Sequence, residues 1–412
     1  MILLYSIYWI VVSLASLTLH FLSLLGDKRS KAFLAMRRSL PALRFKTSQS
    51  TSAWAWFHCA SLGEYEQAAP VIEAYIARHP KTPILLTLFS PSAHTPLSHT
   101  HPSWLRPSDI ITGLPLDSPF HIRAFLNTLS QDIKFFASAK YEVWPELIRQ
   151  LSSRDIPTFV FAAHLTPSAP LLRKTVSGWF LRKVWSKLTS IFTQDSTSSA
   201  LLKTCEIAST PLGDPRADRV LQLAAAISPP ASFLNWKADA KVIVAGSTYH
   251  AEELALSTLP WSNDTKLILA PHEVDTPHIN KILSLFNATS HKTIASTLSA
   301  GNLSTPVLIV DSIGLLTSLY PLADLAVVGG GYGKGIHNIL EPAAHNISII
   351  TGPNTGRFRE ASELIADGAL VVAEKPMDLA SAVWRELPNP QPSGKWLASQ
   401  SGSSEKIASH LP

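Results

Sequence analysis

Residues 1 to 26, MILLYSIYWIVVSLASLTLHFLSLLG, contain no Asp, Glu, Lys or Arg, and a run of that length is long enough to cross the hydrocarbon of a bilayer as a helix. DKRSKAFLAMRR comes immediately after it, in which Lys28, Arg29, Lys31, Arg37 and Arg38 form a basic collar. The bias of Lys and Arg towards the cytoplasmic flank puts the collar, and the chain after it, on the cytoplasmic side of the membrane. A cleaved secretory signal carries its positive charge ahead of the apolar run, and here none precedes it. The segment therefore predicts an uncleaved membrane anchor at 1–26, in which Tyr5, Tyr8 and Trp9 suit an interface and His20 is an ordinary helix residue.

The rest of the chain is long enough for two domains, since the whole has 412 residues with 46% hydrophobic and 16% charged, too apolar a balance for disorder. A net charge of +5 implies some basic surface that suits an anionic lipid surface, whereas 35 Lys and Arg over this length are too sparse for a nucleic-acid binder. Cys59 and Cys205 make neither a disulfide framework nor a CxxC pair, as expected in a reducing compartment.

Short runs rich in apolar and β-branched residues alternate with helix-like stretches, the pattern of parallel strands covered by helices on both faces. The fold class is α/β, with two Rossmann-like, doubly wound domains facing across a cleft. Strands are expected at 53–60, 84–89, 133–137, 158–163 and 191–193, and again at 241–245, 266–270, 307–310, 325–328 and 347–350. The Pro pair in SPPASFLNW, Ser228 to Trp236, forbids continued helix and marks the boundary between a first domain at 27–227 and a second at 228–412. The last stretch opens as a Pro-rich loop and closes with a short helix.

Ligands of such sheets bind outside the C-terminal ends of the strands, which directs attention to the strand-to-helix loops. In AWFHCASLGEYEQAAP a strand runs into a small-residue turn, and Glu64 stands where the helix begins. A carboxylate there can take a proton from an attacking sugar hydroxyl, or simply oppose the positive end of the helix dipole. Lys140, Tyr141 and Glu142 come after another strand, with Trp144-Pro145 opening a helix. Glu142 either lines the cleft or pairs with Lys140, and Trp144 reads as core packing rather than a sugar platform.

In the second half, LAVVGGGYGKGIHNILEPAA has five glycines within Gly329 to Gly335, Gly331 among them, before a helix expected near Asn338. Such a loop lets backbone N–H groups approach a phosphate beside a helix N-terminus, or serves as a tight packing turn. Lys334 adds a mobile charge, and Glu341 shares a helix face with His337 and Asn338. The spacing is neither GxGxxG with a ribose acid nor GxxxxGK[ST]. Three further strand ends ring the same sheet edge. They carry Ser247 and Thr248 before Glu252 and Glu253, Pro271 and His272, and Asp311 to Gly314. His250, His272, Glu252 and Glu253 lack any metal-ligand spacing, so no metal is expected, and no GxSxG nucleophile elbow occurs.

Taken in order, these segments resemble the bacterial 3-deoxy-D-manno-octulosonic acid (Kdo) transferases, two-Rossmann-domain (GT-B type) glycosyltransferases, from the anchor to about Ala366. FHCASLGEYEQAAPVIEA is similar to the family's SxGE segment, KYEVWPELI to its glutamate-x-Trp-Pro segment, GSTYHAEE to GSTxxxEE, and GGGYGKGIHNILEPAA to the glycine-rich HNxLEPAA segment. The resemblance implies transfer of Kdo from CMP-Kdo to the lipid A precursor, lipid IVA, with inversion, at the inner membrane and with no cofactor beyond the donor. It makes Glu64 the general base. It puts CMP contacts at Pro271 and His272, at Ile313, Gly314 and Leu315, and at Asn338, Ile339, Leu340 and Glu341.

Two departures stand out. His272 occupies the place of an Arg, and Lys140-Tyr141-Glu142 that of Glu-Thr-Glu. Lys334, Arg357 or His272 itself is then left to pair the phosphate, and Arg216 and Arg219 of GDPRADRV are either further cations or a solvated helix start. A UDP-sugar transferase of the same architecture and a non-catalytic nucleotide-sugar-binding protein are the rival readings.

Overall fold

The computed structural model describes residues 1–37, 52–129, 132–288, 295–299, 301, 303–356 and 358–412; Arg38 of the basic collar and Arg357 lie outside them. The chain divides into two compact units, Met1–Arg219 with Ser401–Pro412, and Val220–Gln400.

Unit 1 begins with α1 (Ile2–Leu24), long and apolar enough to cross a membrane, and α2 (Lys28–Ala35), whose first turn is capped by Asp27. Its sheet has seven parallel strands: β1 (Trp54–Cys59), β2 (Ile84–Leu88), β3 (Ile110–Gly113), β4 (Ile133–Ala139), β5 (Thr158–Ala163), β6 (Ser190–Thr193) and β7 (Thr210–Pro211). Their order is β3-β2-β1-β4-β5-β6-β7. Every residue of β1 is buried, because helices cover both faces of the sheet and no polar alternation is called for. Trp54 and Trp56 enter the core on one face with Phe136, and Ala55 and Phe57 the core on the other with Phe135. The crossover helices that position the site are α3 (Leu62–Arg78), α4 (Pro119–Thr128), α5 (Pro145–Ser152) and α6 (Val176–Trp185).

The end of the chain returns to this unit, whereas the sequence puts all of 228–412 in the second domain. Asp218 accepts hydrogen bonds from the backbone N–H of Gly402 (2.6 Å) and Ser404 (2.7 Å), starting a helix at Ser403–Ser409. Ile407, Ala408 and Leu411 then complete the core around α3, and the Tyr75 hydroxyl donates to the Pro412 carbonyl at 2.8 Å.

Unit 2 repeats the plan with β8 (Lys241–Thr248), β9 (Thr265–Pro271), β10 (Ala295–Thr297), β11 (Val307–Ile309), β12 (Leu325–Val328), β13 (Ser348–Thr351) and β14 (Leu370–Val372). All are parallel, in the order β10-β11-β9-β8-β12-β13-β14. Helices α7 (His250–Ser257) and α8 (Thr276–Asn287) lie on one face.

In unit 1 the chain works outward from β1 to β3 and then from β4 to β7. In unit 2 it works one way from β8 and the other way from β12. The loops after β1, β4, β8 and β12 therefore border the two topological switch points, where crevices open in sheets of this kind.

Candidate active site

Glu64 enters α3 at the switch point of unit 1. Ser61 is the N-cap and accepts from the Glu64 N–H at 3.4 Å, while Glu64 Oε2 accepts from the Ala60 N–H at 2.5 Å. The side chain thus does cap its helix, but through one oxygen. Oε1 takes no hydrogen bond from the described residues. Glu64 is only 6% exposed, and burial raises its pKa above the ordinary carboxylate value against the pull of the Ala60 and Ser61 N–H groups and the Lys140 charge. Glu142, after the neighbouring β4, is pushed up to about 7 by burial and by the charge of Glu64, with Lys140 opposing. Lys140 holds a left-handed backbone conformation (φ 59°) in this turn, an uncommon one for a residue with a side chain. Glu142 feels the charges of both Glu64 and Lys140.

Trp144 is a packing residue, as read from the sequence. Its ring lies 4.5 Å from that of Phe89, and its Nε1–H donates to His58 Nε2 at 3.2 Å. His58 is fully buried, and burial drops its pKa to about 3, so the imidazole is neutral. With Nε2 accepting, the proton belongs on Nδ1, which reaches the Thr87 carbonyl (3.0 Å) and hydroxyl (2.9 Å). The chain of contacts fixes the loop that carries Glu142.

In unit 2 the first of the paired glutamates after β8 holds the glycine loop. Glu252 accepts the Gly330 N–H on Oε1 (2.9 Å) and the Tyr249 N–H on Oε2 (3.1 Å). Glu253 is fully buried and takes His278 Nε2 at 2.9 Å and the Thr248 hydroxyl at 3.4 Å. Ser247, at φ 53°, forms a bulge near the end of β8, where the register with β9 shifts. Gly331 is required by close approach, since a Cβ there would lie 2.5 Å from the Gly352 nitrogen.

His272, Tyr249 and His337 stack into one cluster, with ring centroids 4.7 Å apart for the two imidazoles and 4.9 Å for Tyr249 and His272; the Tyr249 hydroxyl meets His337 Nε2 at 3.2 Å. Burial and the charge of His272 lower the His337 pKa. The cluster edges a cavity of about 1290 Å³ lined also by Gly330, Lys334, Lys375 and Met377.

Not all the expected contacts meet there. The helix expected near Asn338 begins at Leu340, whose N–H is taken by Asn338 Oδ1 at 3.0 Å, and lasts only to Ala344. Glu341 accepts from Asn338 Nδ2 (2.9 Å) and from the Thr317 hydroxyl (3.1 Å), which ties Asn338–Glu341 to the segment just after Ile313, Gly314 and Leu315. His337 precedes the helix and so shares no helix face with Glu341. Ile313 is exposed, and Gly314 is left-handed at φ 96°. Pro271 ends β9, buried beside His272. Arg216 and Arg219 are held in unit 1 by Asp214 and by Glu66, at 2.7 and 2.9 Å. Among the described residues no three His, Cys, Asp or Glu side chains gather in a metal-holding arrangement. Sequence reasoning missed Tyr249 and Lys375; an aromatic directly after GST was the signal for the first, and the second had none.

Residues 36–219 match the family model described as 3-deoxy-D-manno-octulosonic-acid transferase (kdotransferase). A 3-deoxy-D-manno-octulosonic acid transferase of Haemophilus influenzae is 29% identical over 322 residues, covering 76% of this chain and 73% of the relative. One of Aquifex aeolicus is 28% identical over 339 residues, covering 81% and 84%. The chain is similar to the Kdo transferases over most of its length. Among solved structures, a UDP-GlcNAc 2-epimerase of Methanocaldococcus jannaschii aligns with a TM-score of 0.53 at 14% identity, over 88% of this chain and 99% of that one, a likeness of fold alone.

His272, which the sequence comparison with Kdo transferases set in the place of an Arg, is no isolated imidazole: the exposed ring packs at a tilt against both Tyr249 and His337, with Lys334 on the same cavity wall.

Proposed function

We propose that this chain is an inverting glycosyltransferase that moves Kdo from CMP-Kdo to a hydroxyl of the lipid A precursor, lipid IVA, at the cytoplasmic face of the inner membrane. Unit 2 holds the donor and unit 1 the acceptor. Glu64 supports the reading most: a buried carboxyl at a switch point, with one oxygen committed to the helix and the other open. Its pKa, raised by burial, suits a base that takes up a proton in the reaction.

In the reaction the acceptor oxygen attacks the anomeric carbon of Kdo as the bond from that carbon to the phosphate oxygen breaks. The hydroxyl proton passes to Glu64, and CMP leaves with the electron pair. Backbone N–H groups of the glycine loop, with Lys334 and the His272 cluster, take up the charge on the departing phosphate, without a metal. Pro271, Ile313–Leu315 and Asn338–Glu341 hold the nucleotide, and Ser247, Thr248 and Gly331 shape the loop beside it.

Replacing Glu64 by Gln tests the assignment. Kdo transfer should fall by about 10²- to 10⁴-fold with CMP-Kdo binding kept. Turnover near normal would remove Glu64 from the chemistry. Addition of EDTA should leave the rate unchanged, and a rate abolished by EDTA and restored by a divalent ion would end the metal-free scheme.

A further inference from the structure

α1 does not stand apart from unit 1. Tyr5 is buried in its core, its ring 5.1 Å edge-to-face from Phe180 of α6. The Tyr8 hydroxyl donates to Asp117 Oδ2 at 2.7 Å, and Trp9 Nε1–H to Glu146 Oε2 at 3.0 Å. Both acceptors meet the start of α5: Glu146 lies in it, and Asp117, just before α4, also accepts the N–H of Glu146 and of Leu147, each at 2.8 Å. About three turns beyond Trp9, His20 comes near His121 of α4, whose pKa is lowered by burial and then by the His20 charge.

The covered positions continue along the helix. Tyr5, Tyr8, Val12, Ser16, Leu19 and Ser23, spaced by three or four residues, are all buried or half-buried, and α2 folds back on α1. Ile7, Ile10, Leu14, Leu17, Phe21 and Leu24 form the opposite face, and each is at least 50% exposed. A helix whose first turns are held by a globular unit cannot be ringed by lipid there. Were α1 to cross the bilayer, Asp117, Glu146 and Arg149 would be carried into hydrocarbon, at a cost of several kcal/mol each. Lying in the interface, the same helix buries only its free apolar face, and the exposed Lys28, Arg29 and Lys31 at its end meet the headgroups.

A second feature adjoins it. Between α4 and α5 a cavity of about 640 Å³ is lined by Phe120, Arg123, Arg149, Gln150 and Arg154. The Arg149 guanidinium lies over the Trp9 ring, 5.8 Å from its centre, so the pocket borders the docked helix. Arg149 is bonded to the fully buried Glu146 through both carboxylate oxygens, at 2.7 and 2.8 Å. Arg123 and Arg154 pair with no carboxylate among the described residues, and no carboxylate lines the cavity, so the pocket is left cationic. Phe120, 78% exposed, sits at its rim as an apolar wedge. Arginine forks beside an exposed aromatic suit a phosphate carried on acyl chains.

Resting on the proposed membrane association, we infer that α1 lies in the plane of the membrane and that the Arg123–Arg149–Arg154 pocket binds the phosphate of an anionic phospholipid there.

The test uses the full chain and sealed vesicles of phosphatidylcholine with or without phosphatidylglycerol. Wild-type protein should float with both and prefer the anionic ones, a preference that high salt removes. The double substitution R123A/R154A should weaken binding to anionic vesicles by about thirty-fold and leave binding to phosphatidylcholine unchanged. Kdo transfer to detergent-dispersed acceptor should be unaltered by it, which separates this proposal from the proposed reaction. A loss of transfer in detergent would overturn it by making the pocket an acceptor site. Protease added outside the vesicles should remove tags from both the N- and C-terminus. An N-terminal tag protected while the C-terminal tag is cleaved would show a crossing helix and overturn the in-plane arrangement, as would a wild-type protein that floats with neither vesicle.

Discussion

Glu64 and Glu142 follow neighbouring strands of one sheet, and the charge of Glu64 adds to burial in holding the Glu142 carboxyl protonated up to about 7. Two carboxyls so close in effect release their protons in steps that belong to the pair. The proposed base must be ionised, so kcat/KM should climb with pH until the pair has lost the proton that blocks it. Glu142 is raised by the Glu64 charge, so it ionises after Glu64. E142Q, neutral like the protonated carboxyl, should leave the ascending limb of kcat/KM in place, with the plateau kept within about tenfold. A limb that moves to lower pH would mean that Glu142 ionises first and that its charge raises Glu64.

Lys140 acts in the other direction, since its charge lowers the pKa of both carboxyls. K140M should therefore shift the same limb to higher pH. Methionine suits the test because it keeps an unbranched stem and the backbone demand of a left-handed residue, whereas glycine would also relax the turn. A limb that moves down, or stays, would place Lys140 outside the field of the pair.

The loops at both switch points were legible because parallel, doubly covered strands leave near-continuous apolar runs. β5 and β12 fall at the expected residues, and β1, β4, β8 and β9 within a few of them. β3, β7, β10 and β14 were not legible. They are edge strands of two to four residues, and their register comes from the neighbour they pair with rather than from their own composition. At the site, sequence could place Glu64 and Glu142 at strand ends but not measure their coupling, which depends on burial and on which strands adjoin. The roles of Glu252 and Glu253 were hidden for the same reason: Glu252 clamps a loop 78 residues away. At the N-terminus, hydropathy reported an apolar helix correctly and was silent about its partners, because Tyr8 and Trp9 find theirs at Asp117 and Glu146.

The clamp on the glycine loop gives a third expectation. E252A frees two backbone N–H groups, those of Gly330 and Tyr249, and should destabilise the protein by about 2–4 kcal/mol while weakening donor binding. G331A should weaken donor binding by a different route, since its methyl forces the loop away from Gly352, at a cost of about 1–3 kcal/mol. Calorimetric titration with CMP beside thermal unfolding checks both. Full CMP affinity in either variant would detach the glycine loop from the nucleotide.

Asp117 offers a readout of the docked helix that needs no activity. Burial raises its pKa from the ordinary 3.8 to about 6, despite the hydrogen bonds from Tyr8, Glu146 and Leu147 that favour the charged form. A carboxyl whose pKa is higher in the folded state binds a proton there that the unfolded chain has already lost. Its contribution is thus fully present below about pH 4 and is lost as pH rises through about 6. D117N cannot titrate, so the stability of wild type relative to D117N should fall between about pH 4 and pH 6 and stay level above. Thermal unfolding of the two proteins in one detergent across that range measures the difference. A gap that widens in favour of wild type as pH rises would mean that the hydrogen bonds at Asp117 outweigh its burial, with the carboxylate itself holding α1 and α5 together.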